Sequence, residues 1–255
     1  MFEFMKRNSS TIELIIGIVF VLVAVGLIIL AVKYEKNNKS KASPIRKMTT
    51  LSILAALSIV LYYFVKFPLG AILPIPGFLD IHFSNVPILI GGFMFGPISG
   101  VIIAVLRFLA KLPQTTTVGV GELMDLFIGV FTVLVASFIY HRDKSKKGAI
   151  KALVSVVIVW VFTSIISNWI IIIPLYIALY DFNTVFGMLA IIPGITPDNY
   201  MLYYIMLAVI PFNLIISVLV SIVTFLVYKR VSVAYHSIGY VKNDETVNES
   251  QIKPL

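Results

Sequence analysis

Long apolar stretches, separated by short polar or basic segments, run through almost the whole chain. A helix needs about 20 predominantly apolar residues to cross the hydrocarbon core of a bilayer, and most of these stretches approach or exceed that length. They lie near 12–33, 49–66, 83–112, 119–140, 148–180 and 201–228. The pattern predicts an all-α polytopic membrane protein.

The first stretch follows Lys6 and Arg7, as the apolar region of a secretory signal peptide would. That region is usually about 7–15 residues long and ends at a small-residue cleavage site. The stretch here is longer, and no such site is obvious after it. We therefore interpret residues 1–33 as a retained transmembrane anchor helix.

The third stretch, 83–112, is too long for one span and contains Gly96-Pro97. Proline lacks a backbone N–H, and it disfavours helical conformation in the residue before it. The stretch is therefore either one kinked helix or two short helices, near 84–95 and 97–112.

The positions of the basic residues favour two helices. Residues 33–47 hold six Lys or Arg, residues 142–151 hold five, and Lys229-Arg230 follow the last stretch. Short segments rich in Lys and Arg stay on the cytoplasmic side of a membrane. All three segments lie on that side only if the third stretch forms two spans.

This topology predicts a cytoplasmic C-terminus and an N-terminus outside the cell membrane. The end of the tail, from Lys242 to Leu255, is polar, and we expect it to be disordered. The predicted parts are the anchor helix 1–33, a basic cytoplasmic linker 34–48, a six-helix substrate-binding membrane domain 49–230 and a cytoplasmic tail 231–255.

Composition narrows the chemistry that the chain can perform. The net charge is +8, but the basic residues lie in loops, which indicates membrane topology rather than nucleic-acid binding. There is no cysteine, and the three histidines have no spacing typical of a metal site. No G-x-x-x-x-G-K-[ST] loop and no nucleophile–base pair occurs. We expect no metal, no cofactor and no catalytic residue.

Polar residues within the predicted spans indicate a cavity, because charged side chains in hydrocarbon usually face a protein-lined space. Glu122 and Asp125, at i and i+3, share one helix face, and Thr117 precedes them. Asn168 and Asn213 lie at similar depth on the last two spans. The polar residues gather in the outer half of the domain, which predicts a pocket loaded from outside.

Structural roles compete with this interpretation. Arg107 and Glu122 are candidates for an ion pair between neighbouring helices, and a transmembrane asparagine often serves only to join helices. The first loop, residues 67–83, is apolar and rich in Pro and Gly. We expect it to fold back over the outer surface as a lid.

One face of the first core helix carries small residues that permit close helix contact. Ser52 and Ala56 form a small-xxx-small pair, with Ala55 beside it. The pair lies near the predicted cytoplasmic end, where a membrane partner would dock.

At this point the chain resembles the substrate-binding S component of energy-coupling factor (ECF) transporters, specifically the riboflavin-specific subfamily. The resemblance covers about Met48 to Ser232 and keeps the family's order and spacing. Its most specific pieces are SILAALSIVL (52–61), KFPLG (66–70), FLDIHFSNVP (78–87), FGPISG (95–100), GVGELMDLFIG (119–129), NWIIIIPLY (168–176) and IPFNLI (210–215).

The resemblance implies a six-helix S-component core, here preceded by one extra transmembrane helix. It implies two kinds of partner, a transmembrane coupling subunit and two ATPase subunits. The family's flavin-contacting asparagines fall on Asn168 and Asn213, and its first-loop contacts fall on Leu79 and Asp80. Its small-xxx-small contact with the coupling subunit falls on Ser52 and Ala56.

Five positions depart from the riboflavin pattern. The resemblance implies a lysine at Ile216, asparagines at Asp125 and Phe108, and aspartates at His82 and Asn85. These departures alter pocket polarity, so they bear on the identity of the vitamin more than on the fold.

The function that we expect is capture of a vitamin, riboflavin in the first instance, for an ECF-type importer. Two alternatives stay open, an S component for a different vitamin and an autonomous proton-coupled carrier that uses Glu122 or Asp125. The binding set that we predict is Leu79, Asp80, Thr117, Glu122, Asp125, Asn168 and Asn213.

Overall fold

The structure is a computed structural model. It describes the backbone of residues 9–37, 43–68, 74–115 and 117–250. Side chains are described for 15, 17–37, 43–67, 74–115, 117–231 and 233.

The described chain is a bundle of helices with one short β-hairpin, as expected for a multi-pass membrane protein. Six of its helical segments are long and apolar enough to cross a membrane. The helices are α1 (Ser9–Asn37), α2 (Pro44–Phe64), α3 (Asn85–Phe95), α4 (Pro97–Lys111), α5 (Val120–Arg142), α6 (Lys146–Ser167), α7 (Ile173–Tyr180), α8 (Phe182–Leu189), α9 (Tyr200–Tyr204) and α10 (Ile210–Ser250).

The predicted break at Gly96-Pro97 is confirmed. Helix α3 ends at Phe95 and α4 begins at Pro97, whose missing N–H costs nothing at the first helical position. Gly96 between them has a φ of 109°, a conformation that favours glycine. The two helices pack as a hairpin, in which Gly91 lies against the side chain of Ile103.

Helix α3 is short and is preceded by a small β-hairpin. With 11 residues it is about 16 Å long, roughly half of the hydrocarbon thickness. The strand before it, β2 (Asp80–His82), pairs antiparallel with β1 (Lys66–Pro68), which follows α2 directly. Ile81 and His82 of β2 are buried, so this end of the first loop packs against the helices.

Two π-helical segments interrupt the last two spans at matching places. Asn168–Ile172 joins α6 to α7, and Ile205–Val209 joins α9 to α10. Each segment is followed by an Ile-Pro pair, ending at Pro174 or Pro211. A proline ring clashes with the carbonyl four residues earlier, and local widening of the helix relieves that clash. These wider turns are frequent at functional sites.

The extra helix α1 packs on the core rather than standing apart from it. The ring of Phe20 lies 5.5 Å from the ring of Phe127 and 4.8 Å from that of Phe131 on α5. Most other apolar side chains of α1 are exposed, which suits a surface that faces lipid. Near its end, Glu35 Oε1 accepts hydrogen bonds from the backbone N–H groups of Ile98 (2.7 Å) and Ser99 (3.3 Å).

Helices α1 and α2 extend into the predicted linker, and α10 extends into the predicted tail. Helix α1 continues to Asn37 and α2 begins at Pro44, where Ser43 accepts a hydrogen bond from Arg46 N (3.3 Å) as a helix cap. Only 38–43 of the predicted linker 34–48 therefore lies between the two helices. The expectation of a disordered tail is wrong for its larger part, because α10 continues without interruption to Ser250.

The Glu35 contact predicts a measurable contribution to stability. Glu35→Ala removes the acceptor for two N–H groups at the start of α4, and we expect a loss of about 1 kcal/mol. The melting temperature of the purified protein, followed by tryptophan fluorescence, measures it. Lys36→Ala, at the exposed neighbouring position, is the control and should melt like the parent. Equal melting temperatures for Glu35→Ala and the parent would contradict this role.

Candidate functional site

A cavity of about 310 Å³ lies between the first loop and the helices α2, α5, α6 and α10. That volume is at the lower end of the range for small-molecule sites. The residues around it are Tyr62, Lys66, Gly77, Phe78, Leu79, Asp80, His82, Thr117, Gly121, Glu122, Met124, Asp125, Ile128, Trp160, Asn168, Ile172, Tyr176, Tyr204, Phe212, Asn213 and Ile216.

All seven residues predicted as the binding set line this one cavity. The sequence argument missed most of the aromatic residues that line the cavity, because Tyr62, Phe78 and Trp160 resemble ordinary core or interface residues. The Ile-Pro pairs after the π-helical segments were an available signal that the last two spans are distorted at cavity depth. In the described part of the chain, no group of three or more His, Asp or Glu side chains has the arrangement of a metal site.

The two asparagines are held firmly by their neighbours. Asn213 Oδ1 accepts from Trp160 Nε1 (2.9 Å), and its Nδ2 donates to Val209 O (2.8 Å). Asn168 Oδ1 accepts from Tyr204 Oη (2.9 Å), and its Nδ2 donates to Ser164 O (2.8 Å). An amide has two N–H donors and two lone pairs on its oxygen. Each asparagine is thus oriented by the protein and keeps hydrogen-bonding capacity for a ligand.

Glu122 is oriented by the threonines that precede its helix. Its Oε2 accepts from Thr115 Oγ1 and from Thr117 Oγ1, both at 2.8 Å. Thr115 Oγ1 in turn accepts from the backbone N–H of Gly119 (2.8 Å), which fixes the turn before α5. Both threonine hydroxyls donate to Oε2 of Glu122, so Oε1 is the carboxylate oxygen positioned to accept from a ligand.

Arg107 is buried behind the cavity and joins three elements. Its Nη1 donates to Ser84 Oγ (2.7 Å) and Asn85 Oδ1 (3.2 Å), and its Nη2 donates to the backbone carbonyl of Asp125 (2.7 Å). The alternative of an Arg107–Glu122 ion pair is wrong. Arg107 on α4 instead ties the start of α3 to α5.

His82 and Asp125 connect the first loop to the cavity wall. His82 Nε2 lies 3.3 Å from Asp125 Oδ2, and its Nδ1 lies 3.0 Å from Ser84 Oγ. Ser84 Oγ also accepts from Arg107 Nη1, so the contact of His82 with Asp125 is continuous with the Arg107 network. This buried contact, with the edge-on packing of His82 against Tyr62, ties the loop to α5.

Two departures from the family pattern are therefore in contact with each other. The expected aspartate is replaced by His82 and the expected asparagine by Asp125. The carboxylate of the pair therefore lies on α5 instead of in the first loop. Ile216 also lines the cavity and makes that wall apolar where a lysine was expected. Phe108 is not among the lining residues, and Asn85 contacts Arg107 instead.

The cavity lining carries more acidic than basic groups. Asp80, Glu122 and Asp125 contribute three carboxylates, whereas Lys66 is the one lysine or arginine among the lining residues. Lys66 Nζ pairs with Asp80 Oδ2 at 3.3 Å, and both side chains are partly exposed at the rim. Carboxylates therefore outnumber lysine and arginine side chains among the lining residues.

Aromatic rings form another part of the cavity lining. The ring of Phe78, in the first loop, lies 5.6 Å from the ring of Tyr176 and 6.4 Å from that of Tyr204. These distances are within the range of favourable aromatic contact. A flat ligand of mixed polarity can therefore be covered on its faces by rings and held at its edges by amides and carboxylates.

The small residues of α2 divide between the surface and the core. Ser52 and Ala56 are exposed, one helical turn apart on one face. Ala55 is only 4% exposed, so its inclusion in the partner interface is corrected: its side chain packs into the core and is not available to a partner.

Comparisons with known proteins agree with these features. The family model for the ECF transporter substrate-specific component matches residues 46–228. The chain is 30% identical over 187 residues to the riboflavin transporter RibU of Staphylococcus aureus, covering 73% of this chain and 90% of that protein. It is 24% identical over 188 residues to the riboflavin transporter FmnP of Bacillus subtilis, covering 72% and 90% respectively.

A solved structure supports the same relationship. It is described as the structure and mechanism of the S component of a bacterial ECF transporter, and it superposes with a TM-score of 0.56 at 28% identity. The match covers 74% of this chain and 97% of that one. The matched region of the family model starts after α1, so the extra helix lies outside it. The chain is therefore a member of the family of ECF transporter substrate-specific components, which are transport proteins and not enzymes.

Proposed function

We propose that this chain captures riboflavin from outside the cell and delivers it as part of an ECF-type importer. The single observation that carries the proposal is the convergence of all seven predicted binding residues on one cavity. The names of the two riboflavin transporters that resemble this chain support the same ligand. The alternative of an autonomous proton-coupled carrier loses its basis, because the family supplies only the substrate-specific part of a transporter.

The flavin ring system suits the aromatic and amide parts of the cavity. The isoalloxazine is a flat, largely apolar plate with an imide-like edge that both donates and accepts hydrogen bonds. Phe78 and Tyr176 are suited to cover the plate, while Asn168 and Asn213 are suited to its edge. Trp160 and Tyr204 hold these amides in place, so little side-chain freedom is lost on binding.

The ribityl chain suits the acidic part of the lining. Its hydroxyl groups are donors, and Glu122 Oε1 and the Asp125 carboxylate are acceptors at the cavity wall. The same carboxylates would repel a phosphate group. We therefore propose that the site takes the uncharged vitamin in preference to its phosphate ester.

We propose further that the first loop covers the cavity on the outer side and that His82 holds it closed. The basic segments at the other end of the bundle would then be cytoplasmic, together with the C-terminus, and the N-terminus would be outside. The proposed partners are a transmembrane coupling subunit and two ATPases. The exposed face at Ser52 and Ala56 is the surface that we propose for the coupling subunit.

The first prediction from the proposed function concerns ligand affinity. Asn213→Leu removes an amide from the cavity and leaves the buried Trp160 N–H without its acceptor, so we expect riboflavin affinity to fall at least about tenfold. The measurement is quenching of riboflavin fluorescence on titration with purified protein.

Thr224→Val is the matched control, because Thr224 is buried on the same helix but does not line the cavity. It should bind riboflavin like the parent. Unchanged affinity in Asn213→Leu would remove this residue from the site. Absence of quenching by the parent would refute riboflavin as the ligand.

The second prediction concerns the first loop. His82→Ala breaks the buried contact with Asp125, so backbone amides of residues 79–83 should exchange hydrogen faster while those of α5 keep their protection. Lys66→Ala removes the partly exposed rim pair with Asp80 and the contact of Lys66 Nζ with the Tyr62 ring (5.4 Å), and it should change this exchange little. Hydrogen–deuterium exchange with mass spectrometry measures both variants. Equal exchange in His82→Ala and the parent would show that His82 does not restrain the loop.

The third prediction concerns assembly. Ala56→Trp places a large ring on the proposed docking face and should abolish co-purification with the coupling subunit, while riboflavin binding stays near normal. Ala178→Trp makes the same change at an exposed alanine of α7 and should leave the complex intact. Co-purification of both variants at parental levels would rule out this docking face.

A further inference from the structure

A second cavity, of about 860 Å³, lies at the opposite end of the bundle from the site described above. It opens between the connection from α5 to α6 and the middle of α10. Its lining residues are Tyr140, Lys144, Ser145, Lys146, Phe225, Leu226, Tyr228, Lys229, Arg230 and Val233. We refer to it as the basic cavity.

Four cations from two walls converge on the basic cavity. Lys144 and Lys146 come from the connection, and Lys229 and Arg230 come from α10. Among the side chains that the structure describes, no aspartate or glutamate lines the cavity and no carboxylate forms an ion pair with any of the four cations. Asp143, the nearest carboxylate in sequence, accepts a hydrogen bond from Ser145 N (3.2 Å). The cavity therefore has an uncompensated positive charge that suits an anion.

The position of these cations corresponds to the headgroup level of a bilayer. Lys144 lies in the connection between α5 and α6, and Lys146 is the first residue of α6. Lys229 and Arg230 directly follow the last apolar stretch, 201–228. A phosphate held between these walls would lie at the depth of lipid phosphates. Arginine and lysine at this level are common partners of such groups.

Two apolar side chains of the lining, Phe225 and Leu226, precede the cations on α10 and so lie on the membrane side of them. Leu226 lies one turn before Lys229 and Arg230 on the same face of α10, and it is 62% exposed. The ring of Phe225 lies beneath Lys146, whose Nζ is 5.9 Å from the ring centroid. A free phosphate ion would leave this apolar half unused, whereas an acyl chain would cover it.

We propose that the basic cavity binds an anionic phospholipid, with the headgroup phosphate between Lys146 and Arg230 and the start of an acyl chain along Leu226. General retention of positive loops on one side of the membrane does not account for this arrangement. That rule requires only that lysines lie on one side of the membrane and does not require them to converge on a cavity. Lys147 and Lys151 meet it, because they are exposed nearby but lie outside the cavity.

The test is lipid retention by the full-length protein, measured by native mass spectrometry with equal amounts of phosphatidylglycerol and phosphatidylcholine. The parent should retain phosphatidylglycerol in preference. The double variant Lys146→Gln/Arg230→Gln should lose roughly tenfold or more of that preference, because each cation at a membrane surface contributes about a fivefold factor. Lys147→Gln/Lys151→Gln makes the same change in net charge and should keep the preference.

Three results would overturn the proposal. One is a parent protein with no preference for phosphatidylglycerol, and another is an equal loss in both double variants, which would indicate general surface charge. The third is displacement of the lipid by free glycerol 1-phosphate at concentrations comparable to that of the lipid, which would indicate a phosphate site without a lipid component. Riboflavin quenching and melting temperature, measured on all variants, confirm that each one is folded.

Discussion

The buried guanidinium of Arg107 is the interaction on which the rest of the site depends. A charge inside a membrane protein is tolerated only where other groups satisfy it, and Arg107 is 1% exposed. Its planar fork reaches Ser84, Asn85 and the carbonyl of Asp125 at once, which a lysine cannot reproduce. These contacts hold the end of the first loop and the start of α5 in one geometry. Both sides of the cavity are thereby positioned by a residue that does not line it.

The same network explains how the departures from the family pattern fit together. Ser84 accepts from Arg107 and contacts His82, and His82 contacts Asp125. A histidine placed alone in the loop would be a buried polar group without an acidic partner, and Asp125 alone would be a buried charge. Together they satisfy each other, and the loop stays connected to α5. A pocket with these exchanged residues can keep the architecture of the family while presenting different polarity to its ligand.

Much of this fold was predictable, because lipid imposes strict rules on sequence. Apolar length predicted the spans, and the distribution of Lys and Arg predicted that Gly96-Pro97 separates two helices, as it does. Polar residues in the spans predicted the cavity, and Asn168, Asn213, Glu122 and Asp125 all line it. Charge and amide groups are costly in hydrocarbon, so their positions are informative even without coordinates.

What escaped prediction depends on contacts between distant segments or on the direction of a side chain. His82 entered the sequence argument only as a departure from the family pattern, since nothing in its neighbourhood along the chain indicates Asp125 as a partner. Ala55 was grouped with Ser52 and Ala56, although a helix turns by about 100° per residue and points it into the core. The contact of Glu35 with the start of α4 joins residues more than 60 positions apart. Such contacts follow from packing and not from periodicity.

The most direct test of the central claim is a titration of the purified protein with riboflavin and, separately, with its 5′-phosphate. Three carboxylates and a single lysine line the cavity, so electrostatics favours the uncharged vitamin. The account predicts saturable riboflavin binding and an affinity for the phosphate ester at least about tenfold weaker. Failure to bind riboflavin, or equal or tighter binding of the phosphate ester, would contradict it.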